Sequence, residues 1–261
     1  MNLTAMSYDV KDRVAHIRFT RPESANSVTA DFARDLRNVM LAIEFDDDVR
    51  AASVTADGKV FCAGGDLKEF HAAGDKVASL AADMLADFHM AIYKMNRIPK
   101  PMVAGVRGAA GGAGLSLMSA FDLVVAADSA KFTMAYTRAG VTPDGTSSYF
   151  IARHIGLRRM MDLTLTNRVL SAEEAEAWGL VNRVTDDDAV DEATAELAQQ
   201  LAAGPWATGW AKRVIYQGYE APLEQAGEFE EETITRSMQT HDGVEGIAAF
   251  AEKRAPEFKG A

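Results

Sequence analysis

An α/β fold with parallel strand pairing is what the sequence predicts, and three observations predict it. Short apolar runs bounded by charge, Pro or Gly recur through the first half of the chain, segments of helical period separate them, and the alternation then stops near residue 157. Residues 14–19, VAHIRF, alternate with Ala15, Ile17 and Phe19 on one side, which predicts a half-buried strand. Phe32, Leu36, Val39, Met40 and Ile43 then repeat at helical spacing. AASVT (51–55), MVAGV (102–106) and LVVAA (123–127) are nearly uninterrupted apolar runs, as strands buried on both faces require. Met84, Phe88, Ile92 and Met95 predict a helix between the first two of these runs. Beyond 157 the pattern predicts helices alone, broken near GLV (179–181) and GP (204–205), with Leu223, Phe229, Ile234 and Met238 continuing it. A soft boundary near 200 divides an α/β core, residues 1–200, from a helical region, residues 201–261. The apolar faces of that tail need a cover, and a neighbouring subunit would supply one.

Composition narrows the function. With 261 residues and 48% hydrophobic content the chain can bury a large core. Lys and Arg total 27 against 38 Asp and Glu, a formal charge of −11, which repels phosphate backbones and argues against nucleic acid as a partner. Local basic groups, such as Arg21 or Lys253 with Arg254, can still hold the phosphates of a small ligand. The single Cys62 cannot form an internal disulfide and fits a reducing compartment. MNLTAMSYDVKDR lacks the features of a signal peptide, and no uncharged apolar run reaches the ~18 residues of a membrane span. The expected setting is the cytoplasm.

Two glycine-rich stretches and one turn are the candidate chemistry. FCAGGDLKEF (61–70) and GAAGGAGLSL (108–117) each run from a predicted strand into a predicted helix, where glycine admits close approach to the backbone and a helix start offers unpaired N–H groups. Neither matches G-x-G-x-x-G or G-K-[ST]. GVTPDGTSS (140–148) is a turn in which Asp144 lies between Pro143 and Gly145. His16, His71, His154 and His241 have no metal-ligand spacing, so no metal is expected.

In combination these motifs resemble the enoyl-CoA hydratase/isomerase (crotonase) superfamily. The resemblance rests on CAGGDLKEF, PKPMVAGVRGAAGGAG with the helix to Asp122, SAKFTMAYTRAGVTPDG, LTNRVLSAEEAEAWGLVNRV and EGIAAFAEKRAPEFKG, and it covers nearly the whole chain. It implies a crotonase-like spiral of ββα units with a helical C-terminal trimerisation region, assembled as a homotrimer or hexamer. The implied substrate is an acyl-CoA thioester, with coenzyme A entering as part of the substrate and no separate cofactor. The implied oxyanion-holding amides are those of Gly65 and Ala113, where Ala113 replaces a frequent glycine but keeps the backbone N–H. Ala25, Asn26, Ala63, Asp66 and Leu67 correspond to CoA-contacting positions, and Phe250 and Lys253 to positions that reach the CoA of an adjacent subunit.

The hydratase pattern breaks at two places. The resemblance expects a glutamate on the helix after the glycines and another before the Pro-containing turn, and this chain has Ser116 and Tyr136 there. A lone serine hydroxyl is no general base near neutral pH, so Ser116 reads as packing or a helix-internal hydroxyl. Isomerases of the superfamily carry an aspartate at the position of Asp144, and a suprafacial α-to-γ proton shift needs only one base. That base works best with its pKa above the ordinary ~3.9. The expected activity is therefore double-bond isomerisation, with Tyr136 and Phe88 helping to line the acyl pocket. Chlorobenzoyl-CoA dehalogenases also place an aspartate at the matching turn and a histidine at the position of His89. Tyr136 and Phe88 stand where those enzymes have tryptophans. Hydratase, dehalogenase or hydrolase, and an inert acyl-CoA binder are the alternatives.

Overall fold

The computed structural model describes residues 1–261. The chain opens with two strands, β1 (Met6–Lys11) and β2 (Val14–Phe19), paired antiparallel across a two-residue turn in which Asp12 and Arg13 both have positive φ. Helix α1 (Ala30–Phe45) follows, its Thr29 side chain capping the amide of Phe32. Strand β3 (Ala51–Ala56) lies parallel to β2. Helices α2 (Leu67–Ala73) and α3 (Val77–Arg97) lead to β4 (Met102–Val106), β5 (Ala109–Gly111), α4 (Ala113–Ser119), β6 (Leu123–Ala127) and β7 (Lys131–Thr133). Helices α5 (Ser147–Ile155) and α6 (Leu157–Thr166), strand β8 (Val169–Ser171), helix α7 (Ala172–Trp178), strand β9 (Arg183–Thr185) and helix α8 (Val190–Ala202) complete the α/β part. The chain ends in α9 (Trp206–Glu220), α10 (Leu223–Ser237) and α11 (His241–Glu252).

The main sheet has the order β1-β2-β3-β4-β6-β9, parallel beyond the first hairpin, and a small sheet has the order β5-β7-β8. The period of two divides the main strands between two cores. Ala15, Ile17, Phe19, Ala52, Val54, Ala104, Val106, Val124 and Ala126 belong to the large core, which also takes in the apolar faces of α1 and α3. Val14, Ala51, Val103 and Val125 face Leu197, Ala198 and Ala202 of α8. That second layer explains why the central strands are apolar throughout, and why β2 buries Val14 as well as its alternating set.

The expectation of helices alone beyond residue 157 is corrected by β8 and β9. Each is three residues long, too short for a period to register. Arg183–Thr185 extends the main sheet beside Val125–Ala127, and Val169–Ser171 pairs with β7. The tail is anchored by charge. Lys212 of α9 is buried and donates to the carbonyl of Met95 at 2.5 Å and that of Lys100 at 3.2 Å, and it pairs with Asp122 at 2.8 Å. Asp122 in turn accepts from the amide of Met102. Ile215, Tyr219, Leu223, Ile234, Met238, Val244, Ile247 and Phe250 of the tail stay exposed, Phe250 to 88%.

Candidate active site

The two glycine-rich stretches come together because each supplies what the other's backbone lacks. The loop after β3 runs beside β5: Cys62 donates to the carbonyl of Ala109, and the amide of Gly111 donates back to the Cys62 carbonyl at 3.0 Å. On its other side, Val28 donates to the Gly64 carbonyl at 2.8 Å and Ala63 donates to Ala25. Space is minimal. A Cβ on Gly114 would sit 2.2 Å from the Cys62 carbonyl oxygen, and one on Gly64, whose φ is +108°, would sit 2.8 Å from the Gly111 oxygen and 3.4 Å from the Ala113 nitrogen. Helices α2 and α4 thus start side by side, and the amides of Gly65 and Ala113 donate to no acceptor in the protein.

Asp66 caps α2 through the amides of Lys68 and Glu69 and accepts the Ser27 hydroxyl at 2.9 Å. Burial opposes its ionisation, but these hydrogen bonds outweigh it and hold the carboxyl below its ordinary range. Ala63 and Leu67 are exposed beside it. The Asn26 side chain is buried, accepting from the amide of Arg21 and donating to the carbonyls of Asp57 and Val60. It is a fastener for the segment carrying Ala25, and both residues have φ of +51°.

Ser116 lies one turn into α4, so its hydroxyl emerges just behind the free amides. It meets the Tyr136 hydroxyl at 2.7 Å, and the Tyr136 hydroxyl donates to Asp144 Oδ1 at 2.6 Å. Because a carboxylate only accepts, the tyrosine spends its one proton on Asp144, and Ser116 donates to the tyrosine oxygen. Asp144 Oδ2 has no donor from the protein. Burial pushes the Asp144 carboxyl above its ordinary range, against the lowering effects of the Tyr136 hydrogen bond and the charge of His89. Burial, with the negative charge of Asp144 beside it, drives the Tyr136 phenol upward, so it stays protonated.

The aspartate is fixed by its turn. Ser147 returns both amide and hydroxyl to the Asp144 carbonyl, at 3.2 and 2.9 Å, and the two intervening residues have positive φ, +58° at Gly145 and +61° at Thr146. A β-branched residue is strained there, and sequence reading missed Thr146 because nothing in its type signals a left-handed position. A Cβ on Gly145 would meet Ser116 Cβ at 2.8 Å and Phe88 Cε1 at 2.9 Å, so the turn rests on α4 and α3 at once. Phe88 is 1% exposed. It lies under this turn, next to Gly145. Tyr136, also buried, presents its hydroxyl to Asp144. His89 Nε2 is buried with no hydrogen-bond partner. Phe250 on α11 and Lys253, which follows the helix as its C-cap, are exposed, and α11 packs on α9.

Residues 9–261 match the family described as Enoyl-CoA hydratase/isomerase. The chain belongs to that family. It is 36% identical over 250 residues to 4-chlorobenzoyl coenzyme A dehalogenase-2 of Arthrobacter sp, covering 95% of this chain and 91% of that protein. It is 32% identical over 253 residues to the 1,2-epoxyphenylacetyl-CoA isomerase of Escherichia coli, with 96% and 97% covered. Among solved structures, an enoyl-CoA hydratase from Polaromonas superposes with a TM-score of 0.93 at 31% identity, over 98% of this chain and 100% of that one. The fold is the crotonase fold, and the family's relation to acyl-CoA thioesters applies to this enzyme.

Proposed function

We propose that this family member is an acyl-CoA isomerase that shifts a double bond by moving one proton. The observation that carries the reading is the Ser116–Tyr136–Asp144 chain: hydroxyls hold the two positions where a carboxylate pair is expected, and Asp144 is the one carboxylate joined to them. Asp144 Oδ2 removes the α-proton of a β,γ-enoyl thioester, and the C–H electrons move onto the thioester oxygen as a dienolate. The amides of Gly65 and Ala113 stabilise that oxygen, each worth roughly 3 kcal/mol in the transition state. The dienolate collapses, taking the proton back from Asp144 at the γ-carbon, and the product is the conjugated α,β-thioester. Hydration would need a second group to activate water, and neither hydroxyl does so beside a carboxylate that already accepts from one of them. Ala25, Ala63, Asp66 and Leu67 border the CoA path in this reading, and Phe250 and Lys253 of an adjacent copy close it.

The test is to mix the protein with a β,γ-enoyl-CoA and follow the ultraviolet band of the conjugated thioester. Asp144→Asn should lose most turnover, about a hundredfold or more, while still binding the CoA ester. Turnover unchanged in that variant would remove Asp144 from the chemistry. The partnerless Nε2 of His89 favours a second reading, in which Asp144 attacks a halogenated aryl thioester, halide leaves, and water hydrolyses the resulting aryl ester. Incubation with 4-chlorobenzoyl-CoA would then add the mass of the whole thioester less chlorine, as an aryl ester, to the peptide carrying Asp144.

A further inference from the structure

We propose that Tyr136, backed by Ser116, is a positioning residue that holds Asp144 Oδ1 and thereby leaves proton transfer to Oδ2 alone. The inference rests on Asp144 being the base. It goes further in assigning the two hydroxyls a common task and the two carboxylate oxygens different ones. The geometry is directional. With the tyrosine proton given to Oδ1 at 2.6 Å, the serine hydroxyl is left to donate to the tyrosine oxygen at 2.7 Å, a shorter contact than its alternative acceptor, the Gly112 carbonyl at 3.2 Å, so each donor strengthens the next and the chain ends on the charged atom. All three side chains come from different segments: Ser116 from α4, Tyr136 from the turn after β7, and Asp144 from the turn before α5. The backbone beside the aspartate runs close to both helices, since a Cβ added at Gly145 would come within 3 Å of Ser116 and Phe88, and Ser147 fixes the Asp144 carbonyl through its amide and hydroxyl.

Two consequences follow for the chemistry. With Oδ1 engaged, a proton lifted from the α-carbon stays on Oδ2, near the face from which it came, and returns to that same face at the γ-carbon. The phenol also favours the ionised carboxylate that the reaction needs, in a setting where burial alone would favour the protonated one. The groups facing Asp144 are Tyr136, Ser116 through it, and His89 from α3, and no Lys or Arg pairs with the carboxylate. Removing the phenol therefore takes away the nearest group that keeps Asp144 charged.

The experiment follows the Asp144 carboxyl itself, by NMR of full-length protein carrying 13C-labelled aspartate, with Asp144→Asn to assign the signal. Tyr136→Phe keeps the buried ring and should raise the titration midpoint by roughly one pH unit, the effect of one hydrogen bond to the charged form. Ser116→Ala leaves the Tyr136–Asp144 contact in place and should raise it less, in the same direction. It also serves as the test if Tyr136→Phe does not fold. A tyrosine that only fills space would lower thermal stability and leave the midpoint where it is. An unmoved midpoint in the folded variants overturns the proposal. The acid limb of kcat/KM on a β,γ-enoyl-CoA should follow the NMR midpoint from wild type to variant. If the carboxyl moves as expected but no protein converts that thioester, the positioning role stands and the isomerase reading falls.

Discussion

Asp144 is costly to keep charged. Its folded pKa lies above the ordinary carboxylate value because burial disfavours the ion, so its contribution to stability is full at pH below the unfolded value and is lost as pH rises through the folded one. At neutral pH the wild type carries that cost, and Asp144→Asn should be more stable toward denaturant there, with the gap closing as the pH falls into the acid range. In the proposed mechanism that same charge is the base, so stability and activity would oppose each other at this residue. Gly145→Ala should cost about 2 kcal/mol by chemical denaturation, because its Cβ meets Ser116 and Phe88 and the residue has positive φ. Much of the site was legible at this scale. Pro143, Asp144 and Gly145 announce a turn in any sequence, and Ser116 and Tyr136 stood out as departures from an expected pair. Their connection was not legible, since a hydrogen bond across 20 residues of chain leaves no trace in spacing. The buried destiny of Asn26 was hidden for the same reason, because an exposed and a buried asparagine look alike until their partners are placed.

At the scale of elements, the free amides depend on how closely α4 starts beside the loop that precedes α2. Gly114→Ala should force the helix start away from the Cys62 carbonyl, which its Cβ would approach to 2.2 Å. Steady-state kinetics should show kcat falling about a hundredfold, the usual effect of losing one such donor, with KM changing less. The long elements could be read directly, because four strands and two helices carry enough residues for a period to repeat. Strands β5, β7, β8 and β9 have three residues each, and their existence is set by neighbours, not by composition. The small sheet built by β5, β7 and β8 carries β7 into the turn that delivers Tyr136, so part of the site depends on elements that sequence patterns do not report.

For the whole molecule, the decisive interaction lies away from the chemistry. Removing one partner of the Lys212–Asp122 pair, as in Lys212→Met, should destabilise the protein by about 3–5 kcal/mol, because the other charge is left buried, whereas replacing both should cost much less. Equilibrium denaturation of the two single variants and the double variant checks this. The exposed apolar residues of α9, α10 and α11 support the proposed assembly of several copies, and a charged substitution such as Ile234→Glu should reduce the mass seen in sedimentation. The same lysine has a consequence for how such chains can be recombined. The GP break at 204–205 invites a cut in the sequence, yet α9 beyond it ties into the carbonyls of Met95 and Lys100, at the end of the helix whose Phe88 supports the Asp144 turn. Hybrids joined at that break inherit a tail that must recognise the core it lands on. They should work where residues 122 and 212 come from matched parents, and lose both solubility and turnover where they do not.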